Sequence, residues 1–246
     1  MDLPRSFTIR ESSHRILNPL TPEKFATLGA VIGLRTGMSV LDLCSGKGEM
    51  LSTWARDHGI TGTGVDISTV FLAAARTRAA ELGVTDRVDF VHGDASSYVA
   101  AEPVDVAACI GATWIGNGVT GTVALLERSL RPGGLMLIGE PFWRSEPPDK
   151  ESIPAYHAEA NYRSLPGLVT LVGDLGYDLV EMVLADEDSW DRYRAAQWLN
   201  VRTWLDANPD DELAAELRAE LTRAPLEYVR HERHLLGWGV FALMRR

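Results

Sequence analysis

The chain's 246 residues, 46% of them hydrophobic and 24% charged, suffice for one α/β domain with an insertion, or for a domain with a small cap. A net charge of −10 argues against a large RNA or DNA substrate, which would need a basic surface, while leaving room for a small acidic substrate in a local basic pocket. No apolar run reaches a membrane span, no signal-peptide core follows Met1, and two cysteines give neither a disulfide framework nor a zinc spacing, so a cytoplasmic protein without membrane partner or metal is expected.

Residues 1–20 set polar groups around Phe7, Ile9, Ile16 and Leu17, and Asn18-Pro19-Leu20-Thr21-Pro22 breaks the chain. Thr21 then caps a helix with Pro22 at its first position and an apolar face of Phe25, Leu28, Val31 and Ile32. Val40, Leu41 and Leu43 read as a buried parallel strand. It runs into Cys44-Ser45-Gly46-Lys47-Gly48, where glycines at 46 and 48 let the main chain turn tightly and approach a ligand. Met50, Leu51, Trp54 and Ala55 recur at helical spacing, so a helix starts near Gly48 with its free N–H groups at the turn.

Two residues in this segment separate two ligand classes. A dinucleotide fingerprint needs Gly or Ala three residues after the second glycine, and Leu51 stands there instead. Asp42 would repel a pyrophosphate but suits a ligand that carries an ammonium group. Gly62–Ser68 and Val88–Ala95 are second and third strands ending in Asp66 and Asp94. Asp66 stands 18 residues after Gly48, the interval expected of an acid that bonds a ribose diol. One such Asp alone reads more readily as a helix cap or turn former. Three at corresponding strand ends mark the edge at which open α/β sheets bind ligands. Val104–Gly111 reads as a fourth strand, and Leu130-Arg131-Pro132-Gly133-Gly134 turns into a fifth.

Together these segments resemble the class I S-adenosylmethionine (SAM) methyltransferases, from about residue 22 to 140 and again in a last strand near the C-terminus. The resemblance implies a Rossmann-like α/β fold with a seven-stranded, mostly parallel sheet. Its order is 3-2-1-4-5-7-6, with strand seven antiparallel and helices on both faces. It implies that Asp42 orders the glycine loop near the methionine end of SAM, and that Gly46 and Gly48 admit SAM against the backbone. Asp66 would accept the ribose hydroxyls, Ile67 pack on the adenine, Asp94 take its amino group and the Ala95 N–H face the ring. The backbone at Cys109 and Gly111 would lie by the amino-acid tail and the methyl group. The implied activity is methyl transfer to a small molecule, with S-adenosylhomocysteine (SAH) as product, in a monomer or homodimer. Phe7-Thr8-Ile9, the Glu140-Pro141 exit and a Trp-rich helix after strand six resemble a bacterial small-molecule branch of unassigned substrate.

Past residue 140 the chain departs from the simplest version of that fold. Residues 141–163 read as an insertion, 165–175 as a helix and 177–184 as strand six. Two helical stretches, 189–205 and 210–223, delay the last strand, 235–244. One domain spanning 1–246 is expected, with a lid built from 1–20, 141–163 and 187–232, because such segments choose the substrate while the sheet holds the cofactor.

Candidates for the acceptor side carry alternatives. Trp114 follows strand four, as a substrate contact or as a core aromatic. Cyclopropane-synthase and coclaurine N-methyltransferase relatives commonly carry Glu-His there; Trp114-Ile115 departs from that, so their acid or bicarbonate site is not carried over. Glu140, followed by Phe142-Trp143, suits an amine or acts as base, or is a salt-bridged strand end. His14 is a general base if the N-terminal segment folds over the site, otherwise a surface group; His157 is a weaker second choice. Trp190, Tyr193 and Trp198 form an aromatic lid or pack the inserted helix onto the domain. Three rival readings remain: a nicotinamide oxidoreductase, a SAM-binding sensor without catalysis, and a nucleic-acid methyltransferase, the last disfavoured by charge and by the lack of an Asn-Pro-Pro-Tyr-type motif.

Overall fold

The apolar run before the glycine turn forms β1 (Ser39–Leu43), the middle strand of the parallel half of the sheet. The computed structural model describes residues 2–145 and 162–246. Alternation along β1 splits its side chains between two apolar cores: Val40 enters one, Leu41 and Leu43 the other. β2 (Thr61–Asp66) and β3 (Val88–His92) extend the sheet on one side. On the other side lie β4 (Val104–Ile110), β5 (Leu130–Trp143), β7 (Leu236–Arg245) and β6 (Tyr177–Leu184). The order is β3-β2-β1-β4-β5-β7-β6, with β7 antiparallel to both neighbours, as the sequence leads one to expect.

Helices cover both faces. α2 (Pro22–Val31) starts where Thr21 Oγ1 accepts the Lys24 N–H at 3.3 Å. α3 (Glu49–His58) starts at Gly48, α4 (Thr69–Glu81) at the Ser68 cap, and α5 (Val119–Glu127) follows a 3-10 turn at Thr113–Gly116. α6 (Leu165–Asp174) is capped by Ser164, whose hydroxyl accepts the Gly167 N–H. Leu51 of α3 lies against β2 because Gly62 has no Cβ; an added one would sit 2.8 Å from Leu51 Cδ2. Close helix–strand contact is thus bought with a glycine on the strand, where a dinucleotide fold uses Gly or Ala on the helix.

Three boundaries differ from the sequence reading. β5 runs on through Glu140, Pro141, Phe142 and Trp143, which pair with Gly239, Trp238, Gly237 and Leu236 of β7. Gly237 opens the space that the Phe142 ring fills. The pairing turns residues 141–143, expected as insertion, into sheet. α7 spans Glu187–Ala207 and α8 Ala214–Glu227, and the latter continues through Pro225 into a π turn at Tyr228–Glu232. Residues 1–20 contribute α1 (Arg5–Arg10). Ile9 of α1 joins Val201, Leu205, Ala214 and Leu217 in a small third core, so the N-terminal segment and α7–α8 form one helical layer. Among the described residues no helix is long and apolar enough to cross a membrane.

Candidate active site

The glycine turn is held by the strand end beside it. Ser45 N–H donates to the Val65 carbonyl at 3.0 Å, and Gly48 N–H to the Ser45 carbonyl at 3.0 Å. Gly46 and Gly48 have φ of 55° and 67°, the left-handed region that glycine occupies without strain. At Gly48 the need is also spatial, since a Cβ there would strike the Phe90 ring. Asp66 Oδ2 accepts the Gly46 N–H and Oδ1 the Ser68 N–H, both at 2.8 Å. Burial raises its carboxyl, and these backbone bonds lower it in part. A carboxylate offers about four acceptor positions, so two remain for a diol.

Asp42 is different. It is buried, and its Oδ1 has no hydrogen-bond partner among the described residues. Burial, and then the neighbouring Asp66, push its carboxyl well above the ordinary range. It lines a cavity of about 50 Å³ with Gly46, Lys47, Ile16, Leu17 and Asn18. The N-terminal segment therefore lies over the turn. Lys47 fixes it there: its Nζ donates to the carbonyls of Glu11, Ser12 and His14 at 2.6, 3.1 and 2.7 Å.

Beyond β3, Asp94 is exposed and accepts the Ser96 N–H at 2.9 Å; hydrogen bonds from Ser96 hold its carboxyl low. Ala95 is buried in the second core, and Ile67 is half-buried with its carbonyl 3.0 Å from His92 Nε2. Cys109 is fully buried and lines neither that cavity nor the larger one beside it; its thiol is raised by hydrogen bonding to Cys44 and then by burial.

A second, larger cavity of about 790 Å³ adjoins the first, with Leu17 and Asn18 lining both. Gly111 lies on its wall at the end of β4, and Glu140 on β5. Thr113 Oγ1 donates to Glu140 Oε2 at 2.7 Å. Burial pushes the Glu140 carboxyl up to about 7 against the Thr113 bond, and no cation among the described residues contributes. Tyr162, on the same wall, is raised to about 12 by burial and by the charges of Glu140 and Glu232. Trp114 is 69% exposed at the rim, neither a core aromatic nor a deep contact. Trp190 and Tyr193 of α7 face the cavity from the helical layer.

The other expected acceptor-side residues fall elsewhere. His14 is absent from the cavity wall; its Nδ1 lies 2.8 Å from Glu11 Oε2 and its ring 4.6 Å from that of Tyr193. Trp143 packs edge-on against Tyr162 at 5.8 Å and lies outside the lining. Trp198 packs on Tyr228 and borders a separate small void with Leu221. His157 lies outside the described residues. The sequence reading missed Glu11, Lys47, Thr113, Tyr162, Glu232 and Trp238. Glu11 is fully buried and accepts from Tyr193 Oη at 2.9 Å and Gln197 Nε2 at 2.6 Å. Its one sequence signal is the i,i+3 spacing to His14.

Residues 40–134 match the family described as "Methyltransferase domain". Over 248 aligned residues the chain is 60% identical to the uncharacterized protein YjhP of Escherichia coli (strain K12), covering 100% of both. It is 59% identical to the SAM-dependent methyltransferase of Thiobacillus denitrificans crystallised with SAH, with a TM-score of 0.97 and 100% of each chain covered. The chain belongs to the SAM-dependent methyltransferases.

A second such methyltransferase, from Geobacter sulfurreducens and also in complex with SAH, is 62% identical with a TM-score of 0.96, covering 100% of this chain and 99% of that one. SAM is therefore the cofactor of this methyltransferase. Its own residues fit that group. Asp42 is a buried acid short of a donor at the turn, and SAM carries an ammonium. Gly46 and Gly48 keep the turn free of side chains, and Asp66 retains acceptor capacity.

Proposed function

We propose that this methyltransferase moves the SAM methyl onto a small nucleophile held in the 790 Å³ cavity, with Glu140 as the general base. SAM supplies a methyl already activated on a sulfonium, so the protein's task is to align the acceptor, exclude water and take a proton. One observation carries the reading: Glu140, with a carboxyl near 7, shares a cavity wall with Gly111 at the end of β4. A base is most effective when its pKa lies near the working pH. The Thr113 hydroxyl fixes the carboxylate oxygen that it donates to, and leaves the other for the acceptor.

The test is SAH formation by the purified protein from SAM and fractionated small-molecule extract. Glu140→Gln is expected to bind SAH as wild type does, while turnover falls by about 10²–10⁴-fold. Unchanged turnover in the variant would remove Glu140 from the reaction.

A further inference from the structure

We propose that the acceptor is an amine, carried as an ammonium on an apolar and partly aromatic body. The proposal rests on the methyl-transfer reading and names the substrate class of that same cavity. Four features of the cavity carry it.

First, among the described residues Glu140 has no counter-ion: its hydrogen-bond partner is a neutral hydroxyl, Thr113, and no lysine or arginine there forms an ion pair with it. Second, neither arginine among the described residues of the wall pairs with Glu140. Arg194 donates to Gln197 Oε1 at 2.8 Å and to Glu232 Oε1 at 3.2 Å, and the exposed Arg163 does not act on the Glu140 carboxyl. Third, aromatic rings face the same space: Tyr162, Trp190, Tyr193 and Trp238. Their faces favour a cation and their edges an apolar body. Fourth, Tyr162 keeps its proton, being raised to about 12, so it adds a polar but uncharged wall.

These features sort the acceptor classes. A carboxylate or phenolate would face two acids, Glu140 and the buried Glu232, and of the two arginines on the wall Arg194 is already paired with Glu232 while Arg163 is exposed. An alcohol or thiol brings no charge to offset Glu140 when it is ionised. An ammonium compensates it directly. Burial that raises the acid also lowers the ammonium, which brings the two closer for proton transfer. The ammonium then gives one proton to Glu140. The freed nitrogen lone pair forms the N–C bond as the C–S bond breaks, and that electron pair stays on sulfur. Product leaves as a methylammonium with SAH, and Glu140 returns its proton to solvent. The cavity volume of about 790 Å³ is enough for a body well beyond a simple alkylamine.

The test uses the full chain saturated with SAH or supplied with SAM bearing a tritiated methyl. Matched probes share one body: 2-phenylethylamine, 2-phenylethanol, 2-phenylethanethiol and 3-phenylpropanoate, with tryptamine and tryptophol as a larger pair. Calorimetry in the presence of SAH is expected to show the amines binding at least about tenfold tighter than their partners. Glu140→Gln should erase that margin and leave SAH affinity unchanged. Amines that bind no better than the alcohols, or equally well to Glu140→Gln, overturn the proposal. So does faster methylation of the alcohol, thiol or carboxylate. An amine preference that depends on Glu140, with no SAH formed from any probe or extract, supports the amine site and removes the transfer reading instead.

Discussion

A carboxyl group buried among aromatic rings is most stable with its proton on, and Glu140 shows the cost of the alternative. Its value of about 7 in the fold stands above the ordinary 4.5. The folded form therefore favours the acid. That contribution is complete below about 4.5 and is lost as pH rises through about 7. Glu140→Gln keeps the shape and removes the ionisation. Urea unfolding of the ligand-free protein should thus show the variant gaining on wild type between about pH 5 and pH 8, by about 2 kcal/mol. A gap that stays constant or narrows would mean that Glu140 is not desolvated. Tyr162, Glu232, Arg163 and Arg194 share its cavity and are common to both proteins. Asp66 gives a second residue-scale prediction. Asp66→Ala removes the two acceptor positions left for the ribose, as well as the anchor of the Gly46 N–H. Calorimetry should show SAH affinity weakened by about 1.5–3 kcal/mol. Equal affinity would sink the ribose assignment.

At the scale of elements, the sequence was legible wherever local chemistry decides the conformation. Thr21 before Pro22, the glycines after β1 and the acids at the strand ends each fix a local geometry, and the strand order follows from the resemblance they carry. Glu140 stood out in sequence as an acid in the exit of an apolar strand, though β5 runs three residues beyond it. Contacts between distant segments were not legible. The extension of β5 to Trp143 exists because β7, about a hundred residues later, pairs with it. Glu11 looks like any surface glutamate in sequence, and becomes buried only because Tyr193 and Gln197 of α7 meet it. His14 was expected at the acceptor if the N-terminal segment folds over the site, and Trp198 if the inserted helix forms an aromatic lid. Packing instead commits His14 to Glu11 and Trp198 to Tyr228. Lys47 belongs to this class too, since its three carbonyl partners all come from the N-terminal segment. Lys47→Met leaves those carbonyls to water and should cost about 1–3 kcal/mol. Hydrogen exchange should report it as faster exchange in residues 11–18 ahead of the sheet. Uniform acceleration through β1 and β4 would show that Lys47 supports the core rather than the segment.

At the scale of the whole molecule, the sheet and the helical layer divide the work. The ends of β1 and β2 supply Asp42, the glycine turn and Asp66, the end of β4 leads to Gly111, and β5 carries Glu140. The layer of α1, α7 and α8 closes the second region with Trp190, Tyr193 and Arg194. Leu17 and Asn18 line both cavities, and the proposed reaction puts the meeting of donor and acceptor beside them. The central claim is thus spatial: SAM on the β1–β3 side, acceptor on the β4–β5 side, methyl exchanged near Gly111. A crystal structure of this protein with SAH tests it most directly. The account predicts the ribose hydroxyls on Asp66, the amino-acid tail at the glycine turn, and the sulfur beside Gly111 facing the cavity that holds Glu140. A sulfur turned away from that cavity, or an adenosine lodged against Glu140, would contradict it.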